Sequence, residues 1–223
     1  MKQVTSLFLV LLSTISIAQV TRNVGDFTKI SVFDKIQVQL IQSDENKVVL
    51  DGVNAAEVEV VNKNGTVKLR LPLVKFLSGQ QIEAKIYYTS LNSIMAAEGS
   101  KIKADSQIKT DELTLETKEG SQIQLELDVE KLNIKAYTGS ELNLTGNSHD
   151  LDALIHTGAD LKAKDLTVKH ALVNVNTGGI ASVTAKEYLS VKVVAGGSVF
   201  VYGNPTKLTQ SVTAGGSIII NKE

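Results

Sequence analysis

The sequence predicts an all-β chain: a right-handed parallel β-helix of about seven rungs, 18–21 residues each, capped by an N-terminal region of strands and hairpins. Three observations carry this. Glycine recurs at Gly99, Gly120, Gly139, Gly158, Gly178, Gly196 and Gly215, at intervals of 21, 19, 19, 20, 18 and 19 residues, each followed by Ser, Ala or Gly. A fixed period near twenty marks a solenoid. Apolar residues hold constant offsets from those glycines. Val, Ile, Thr and Leu dominate, with two Pro and no Trp, a composition suited to strands.

The first residues, MKQVTSLFLVLLSTISIAQV, read as an export leader over residues 1–18. Lys2 supplies the positive start, and the apolar run from Leu7 to Ile17 is too short to span a bilayer. Ser16-Ile17-Ala18 offers small residues for cleavage before Gln19. No cysteine follows, so a lipid-anchored leader is not expected, and disulfides and thiolate metal sites are excluded throughout. No later segment is apolar enough to be transmembrane. The expected product is exported: periplasmic, outer-membrane-associated or extracellular.

Residues 19–223 read as one domain in two parts. Over 27–98, the segments FTKISVFDKIQVQLIQ, KVVLDG, AEVEVVNKNGTVKLRLP and QIEAKIYYT alternate as strands, and Asn64-Gly65 is a two-residue hairpin signal. This part is expected to contain antiparallel pairing and to cover the open edge of the first rung, since exposed edges recruit other strands. FLSGQQ is the expected loop between the two parts.

Residues 99–223 form the regular rungs. Three residues after each glycine stand Ile102, Ile123, Leu142, Leu161, Ala181, Val199 and Ile218, and five after stand Ala104, Leu125, Leu144, Ala163, Val183, Val201 and Ile220. The offsets seven, five and three before each glycine from Gly120 onward are also apolar, broken only by Gln210 and Thr117. Alternation within each stretch implies strands with one buried face. Matching offsets between stretches imply parallel stacking, about 4.8 Å per rung. Each glycine then stands at a sharp corner needing φ > 0, and the small residue after it keeps the corner narrow. Antiparallel hairpins in a sandwich are the rival, but hairpins do not require residues nineteen apart to match at five offsets.

An export signal, then FTKISVFDKIQVQLIQSDENKVVLDG, then NGTVKLRLP, then serial Gly-Ser or Gly-Gly-Ser corners resembles the auto-transporter adhesin head GIN domain family of Bacteroidetes-type bacteria, from about Phe27 to the C-terminus. The resemblance implies a β-helix-like, all-β fold and export. It brings no catalytic residues. A C-terminal translocator barrel is not recognisable, so a self-sufficient autotransporter is not expected.

Net charge is −1 with no block of like charges, which argues against nucleic acid or an anionic membrane surface as partner. Glu141 and Asp160 share an outward offset on adjacent rungs, the arrangement a retaining glycosidase would use. Their neighbours Gln122, Ile180 and Ser198 add no carboxylate, the only arginines are Arg22 and Arg70, and two solvated corner charges are the preferred reading. His149, His156 and His170 fall at different offsets and are read as surface residues rather than metal ligands. The periodic glycines argue corner geometry over phosphate cradling. No catalytic residue, metal or cofactor is expected.

Outward residues before the corners, Tyr137, Leu154, His156, Leu172 and Val194, form the candidate binding surface, and Phe200 and Ile219 are candidates for self-association. The sequence thus points to an exported, non-enzymatic, adhesin-like protein of the bacterial envelope. Its expected partner is a protein or glycan at the cell surface, or a second copy. The alternatives are a carbohydrate-active enzyme on a β-helix and a structural envelope protein without a specific ligand.

Overall fold

The computed structural model describes residues 19–72 and 82–221; the leader and the expected FLSGQQ loop lie outside the described residues. The fold is a β-solenoid of about seven turns. Its defining device is the corner. At each periodic glycine the preceding residue also has positive φ: Glu98, Glu119, Thr138, Thr157, Thr177, Ala195 and Ala214 lie between 50 and 57°, and the glycines between 65 and 86°. The Ser121 N–H donates to the Lys118 carbonyl (3.1 Å), and the Ala159 N–H to the His156 carbonyl (3.1 Å). Two left-handed residues closed by such a bond form a type I′ turn. The sequence implied one left-handed residue per corner; the structure has two, with Gly216 (φ 123°) a third positive-φ residue at the last corner, and three of the residues before the glycines are β-branched threonines.

The corners are held by each other. The glycine N–H of one corner donates to the corner carbonyl of the next rung: Gly120 to Thr138 (3.1 Å), Gly139 to Thr157 (3.1 Å) and Gly158 to Thr177 (3.2 Å). These bonds satisfy donors that would otherwise be lost at a bend.

From the corners run the strands β10 (Ile108–Thr117), β11 (Gln122–Ala136), β12 (Glu141–Ile155), β13 (Asp160–Asn176), β14 (Ile180–Val194), β15 (Ser198–Tyr202), β16 (Lys207–Thr213) and β17 (Ser217–Ile220). All pair in parallel, and partners lie one repeat apart. Leu113 faces Leu132, which faces Leu151, then Ala171, Leu189 and Leu208. Ile123, Leu142, Leu161, Ala181, Val199 and Ile218 form a second ladder. Each fully buried Leu or Ile contributes roughly 1.5–3 kcal/mol. The variable third segment is a strand too in the repeats from Gly99 to Gly178, with Leu127, Val129, Leu166, Val168 and Ala185 in the core, whereas residues 203–206 of the next repeat form a bend between β15 and β16. It is set off by vertices where two successive residues point outward, such as Glu130–Lys131 and Lys186–Glu187.

The residue after each corner glycine packs on the rung below. Ser100, Ser121 and Ser140 are buried there; Ser121 Oγ donates to the Ala96 carbonyl (2.7 Å) and Ser140 Oγ to Thr117 Oγ1 (2.9 Å). In later rungs the residue beneath is larger and the serine becomes glycine. A Cβ on Gly179 would lie 3.1 Å from Ile155 Cγ2, and one on Gly197 or Gly216 would lie 2.6 Å from Val175 or Val193 Cγ1. The switch from Gly-Ser to Gly-Gly along the chain is therefore a volume exchange across rungs.

The N-terminal part mixes two pairings. β2 (Lys29–Val32) and β3 (Gln37–Gln42) flank a corner without glycine, Asp34-Lys35, with φ of 59 and 60°. They stack in parallel on β8 (Ser93–Ala96) and β9 (Lys101–Ala104) on one side, and on β6 (Thr66–Arg70) and β7 (Glu83–Tyr88) on the other. Chain order and stacking order thus differ, because β8 and β9 insert between the first strands and the long rungs. β1 (Val20–Asn23), β4 (Lys47–Asp51) and β5 (Glu59–Lys63) add antiparallel pairing, β1 on β4, β4 on β7 and β5 on β6. The β5–β6 hairpin turns at Asn64-Gly65, as its sequence predicts. Arg70 ties this end together, donating to Glu98 (2.8 Å) and lying 3.6 Å from the buried Asp34, which accepts from the Leu71 N–H (2.8 Å). At the C-terminal end of the described residues the last inward positions are less covered, with Val212 47% and Ile220 43% exposed.

Two substitutions separate the two roles of glycine. Gly197→Ala needs no unusual φ but collides with Val175, so it should cost about 1–3 kcal/mol, and adding Val175→Ala should recover part of that loss in a double-mutant cycle by urea unfolding. Gly139→Val meets open space but must hold φ near 65°, so it should also lose about 1–3 kcal/mol, with no rescue from core truncation.

Candidate functional site

Because rungs repeat in register, outward side chains form columns. Two residues before each corner glycine stand Lys118, Tyr137, His156, Asn176 and Val194. The Tyr137 and His156 rings stack with centroids 6.0 Å apart and 29° between planes. The Asn176 amide nitrogen donates to His156 Nε2 (2.9 Å), and Val194 faces Asn176 on the next strand. Below Tyr137, Lys118 pairs with Glu116 (2.7 Å), and that bond holds its ammonium above the usual lysine range. Leu154 lies between Lys135 and Asn174, and Leu172, 44% exposed, between Asp152 and Ser190. All five sequence-predicted residues share one outer wall. Tyr137 and His156 touch, while Leu154, Leu172 and Val194 are set among polar neighbours. Asn176 completes the column; its offset from Gly178 was the signal for it.

On the wall that follows the corners, Phe200 faces Ile219 across β15 and β17, and Ile180 is exposed beside Ser198. Toward the N-terminal end the same wall becomes a groove of about 330 Å³ lined by amide and charged side chains together with Val38, Val49, Ala84, Ile102 and Ile123. Its floor is a grid of long side chains: Gln37 faces Lys101, which faces Gln122, and Gln39 faces Lys103, which faces Gln124. Three carboxylates, Asp51, Glu83 and Glu141, stand along its walls, with Asp51 directly opposite Glu83. Sequence offsets could not reveal this groove, since β3, β4 and β7 carry no corner glycine.

Glu141 and Asp160 do face each other on adjacent rungs, but Lys162 bridges them, 2.8 Å from Glu141 and 3.8 Å from Asp160. Burial pushes the Asp160 carboxyl above the usual range, with Lys162 opposing and Glu141 adding to the shift. The bond to Glu141 raises the Lys162 ammonium in turn. The unit is a shared ion bridge rather than two separately solvated charges.

The histidines divide. His156 belongs to the ladder above. His149 and His170, expected to stay apart, meet at one vertex: their rings are edge-on with centroids 5.1 Å apart, and both approach Asp150. Offsets differing by one residue concealed this, because two consecutive residues point outward at a vertex.

Solved structures share the fold. A "putative adhesin" from Bacteroides fragilis superposes with a TM-score of 0.80 at 21% identity, over 92% of this chain and 97% of that one. A "putative adhesin" from Parabacteroides merdae gives 0.73 at 16%, over 92% and 95%. A "putative lipid binding protein" from Parabacteroides distasonis gives 0.72 at 15%, over 92% and 96%. No curated protein matches the sequence. Residues 26–205 match the family model "Putative auto-transporter adhesin, head GIN domain", a span that holds the corners from Gly99 to Gly196, all of the groove lining except Gln19, and the Tyr137–His156–Asn176 column, and the chain belongs to that family.

Proposed function

We propose that the chain is an exported, non-enzymatic, adhesin-like binding protein of the bacterial cell envelope, whose rigid wall presents columns of side chains to a protein or glycan. The observation that carries this reading is the Tyr137–His156–Asn176 column, outward and fixed by stacked corners. Tyr137, Leu154, His156, Leu172 and Val194 form the contact surface. Family membership supports an adhesin-like role, and export rests on the leader sequence. Among the described residues no helix is long and apolar enough to cross a membrane. The purified chain should bind isolated envelope fractions or a spotted glycan. Tyr137→Ala combined with Leu172→Asp should weaken that binding about tenfold or more while leaving the melting temperature nearly unchanged. Undiminished binding would move the contact off this wall.

Self-association through Phe200 and Ile219 is part of the proposal. Strands β15, β16 and β17 carry one charged residue, Lys207, so two copies can meet there without an array of like charges. Light scattering at high concentration should report a dimer, and Phe200→Lys with Ile219→Lys should return it to monomer. A wild-type monomer at high concentration removes this element.

The groove favours one second reading, a carbohydrate-active enzyme using Asp51, Glu83 and Glu141. Lys85, Lys101 and Lys103 lie among those carboxylates, and Lys162 occupies Glu141, which suits recognition better than acid–base chemistry. Polysaccharide cleavage that disappears in Glu83→Gln would reverse the preference.

A further inference from the structure

Among the described residues, one group of metal-capable side chains converges away from both the Tyr137–His156–Asn176 column and the groove, at the vertex where His149 meets His170. That vertex lies between the third segment of the repeat and the wall that precedes the corners. Asp150, His170 and Tyr188 are successive partners across β12, β13 and β14, and His149 and Glu187 immediately precede Asp150 and Tyr188. Asp150 Oδ1 lies 2.9 Å from His170 Nδ1 and 3.3 Å from His149 Nδ1, and the three donor atoms all fall within 4.8 Å of one another.

Those separations have a chemical meaning. Zinc holds nitrogen and oxygen ligands at about 2.0–2.2 Å in a tetrahedron, so its ligand atoms lie roughly 3.3 Å from each other. The two distances to Asp150 Oδ1 are of that size. On the far side of the His170 ring, Nε2 is 3.4 Å from Glu187 Oε2. A histidine that binds metal through one nitrogen commonly donates its other N–H to a carboxylate, which fixes the ring and its tautomer. Two neutral imidazoles with two carboxylates also match a divalent charge.

We infer that His149, Asp150 and His170 form a binding site for a single divalent transition-metal ion of the zinc type, with Glu187 orienting His170. Two imidazoles and a carboxylate favour zinc, copper or nickel over calcium or magnesium, which prefer all-oxygen sites. Three protein ligands leave the fourth position to water or to a donor from a partner. The backbone is already in place, because the parallel ladder fixes Asp150 against His170.

The test uses the full chain without a histidine tag, stripped with a chelator and titrated with zinc by calorimetry, with cobalt as a spectroscopic substitute. The expected result is one ion per chain, with visible cobalt bands of tetrahedral intensity. His149→Ala and His170→Ala should each weaken binding at least tenfold, and the double variant should abolish it. Glu187→Gln should weaken binding roughly tenfold with the one-to-one ratio unchanged. These positions are partly exposed, and circular dichroism verifies that each variant is folded. Absence of saturable zinc binding by the wild-type chain, or equal binding by the double histidine variant, overturns the inference and leaves His170 as an ion-pair partner of Asp150 and Glu187.

Discussion

Everything in this solenoid depends on the stacked left-handed corner. Two consecutive residues with positive φ turn the chain, and the glycine N–H reaches the corner of the next rung. Slipping a corner by one residue would exchange the inward and outward sets of the strands beside it. Threonines at φ near 50° are strained, at a cost of order 1–3 kcal/mol each. They persist because the bonds above and below over-determine their geometry. The same stacking produces the volume exchange between the residue after the glycine and the residue beneath it, and it aligns the outer columns.

The repeats were legible because one physical rule, alternation about a fixed corner, applies from Gly99 onward. That rule identified the ladders Leu113–Leu208 and Ile123–Ile218 and set Tyr137 and His156 on one outward face, where the structure stacks their rings. It failed where the rule has exceptions. The Asp34-Lys35 corner makes the same turn without glycine, since Asp tolerates the left-handed region better than most residues and Arg70 and the Leu71 N–H hold its side chain. The insertion of β8 and β9 between earlier strands leaves no trace in a linear count. Vertices break alternation, so the approach of His149 to His170 was invisible to offsets alone.

The two ends of the solenoid differ in kind. The N-terminal end is overlaid by antiparallel strands and pinned by Arg70 between Asp34 and Glu98; the hydrogen bond with Asp34 raises the Glu98 carboxyl above the usual range. The C-terminal end shows part of its core and a strand edge, and the sequence softens this with Gln210 where a ladder residue is due. The wall that follows the corners shifts in step, from amides and lysines over the groove to Phe200 and Ile219 near the open edge. One continuous sheet thus carries two chemically distinct surfaces, set apart by rung number alone.

Rigidity is what makes such plain side chains useful. A residue on a flexible loop loses backbone freedom when it binds, roughly 1–2 kcal/mol per residue ordered. A residue in a stacked column has already lost it on folding, and its side chain is restrained by the neighbours one rung away, as Asn176 restrains His156. Modest contacts spaced about 4.8 Å apart can then add along the column with little further entropy lost. On the proposed reading, this accounts for a contact wall built from Tyr, His, Asn and Leu without tryptophan, and recognition would depend on the alignment of the rungs. A ligand spanning several of them would read the repeat itself, so a substitution that disturbs a corner, even one facing away from the proposed contact, would alter the spacing the ligand meets.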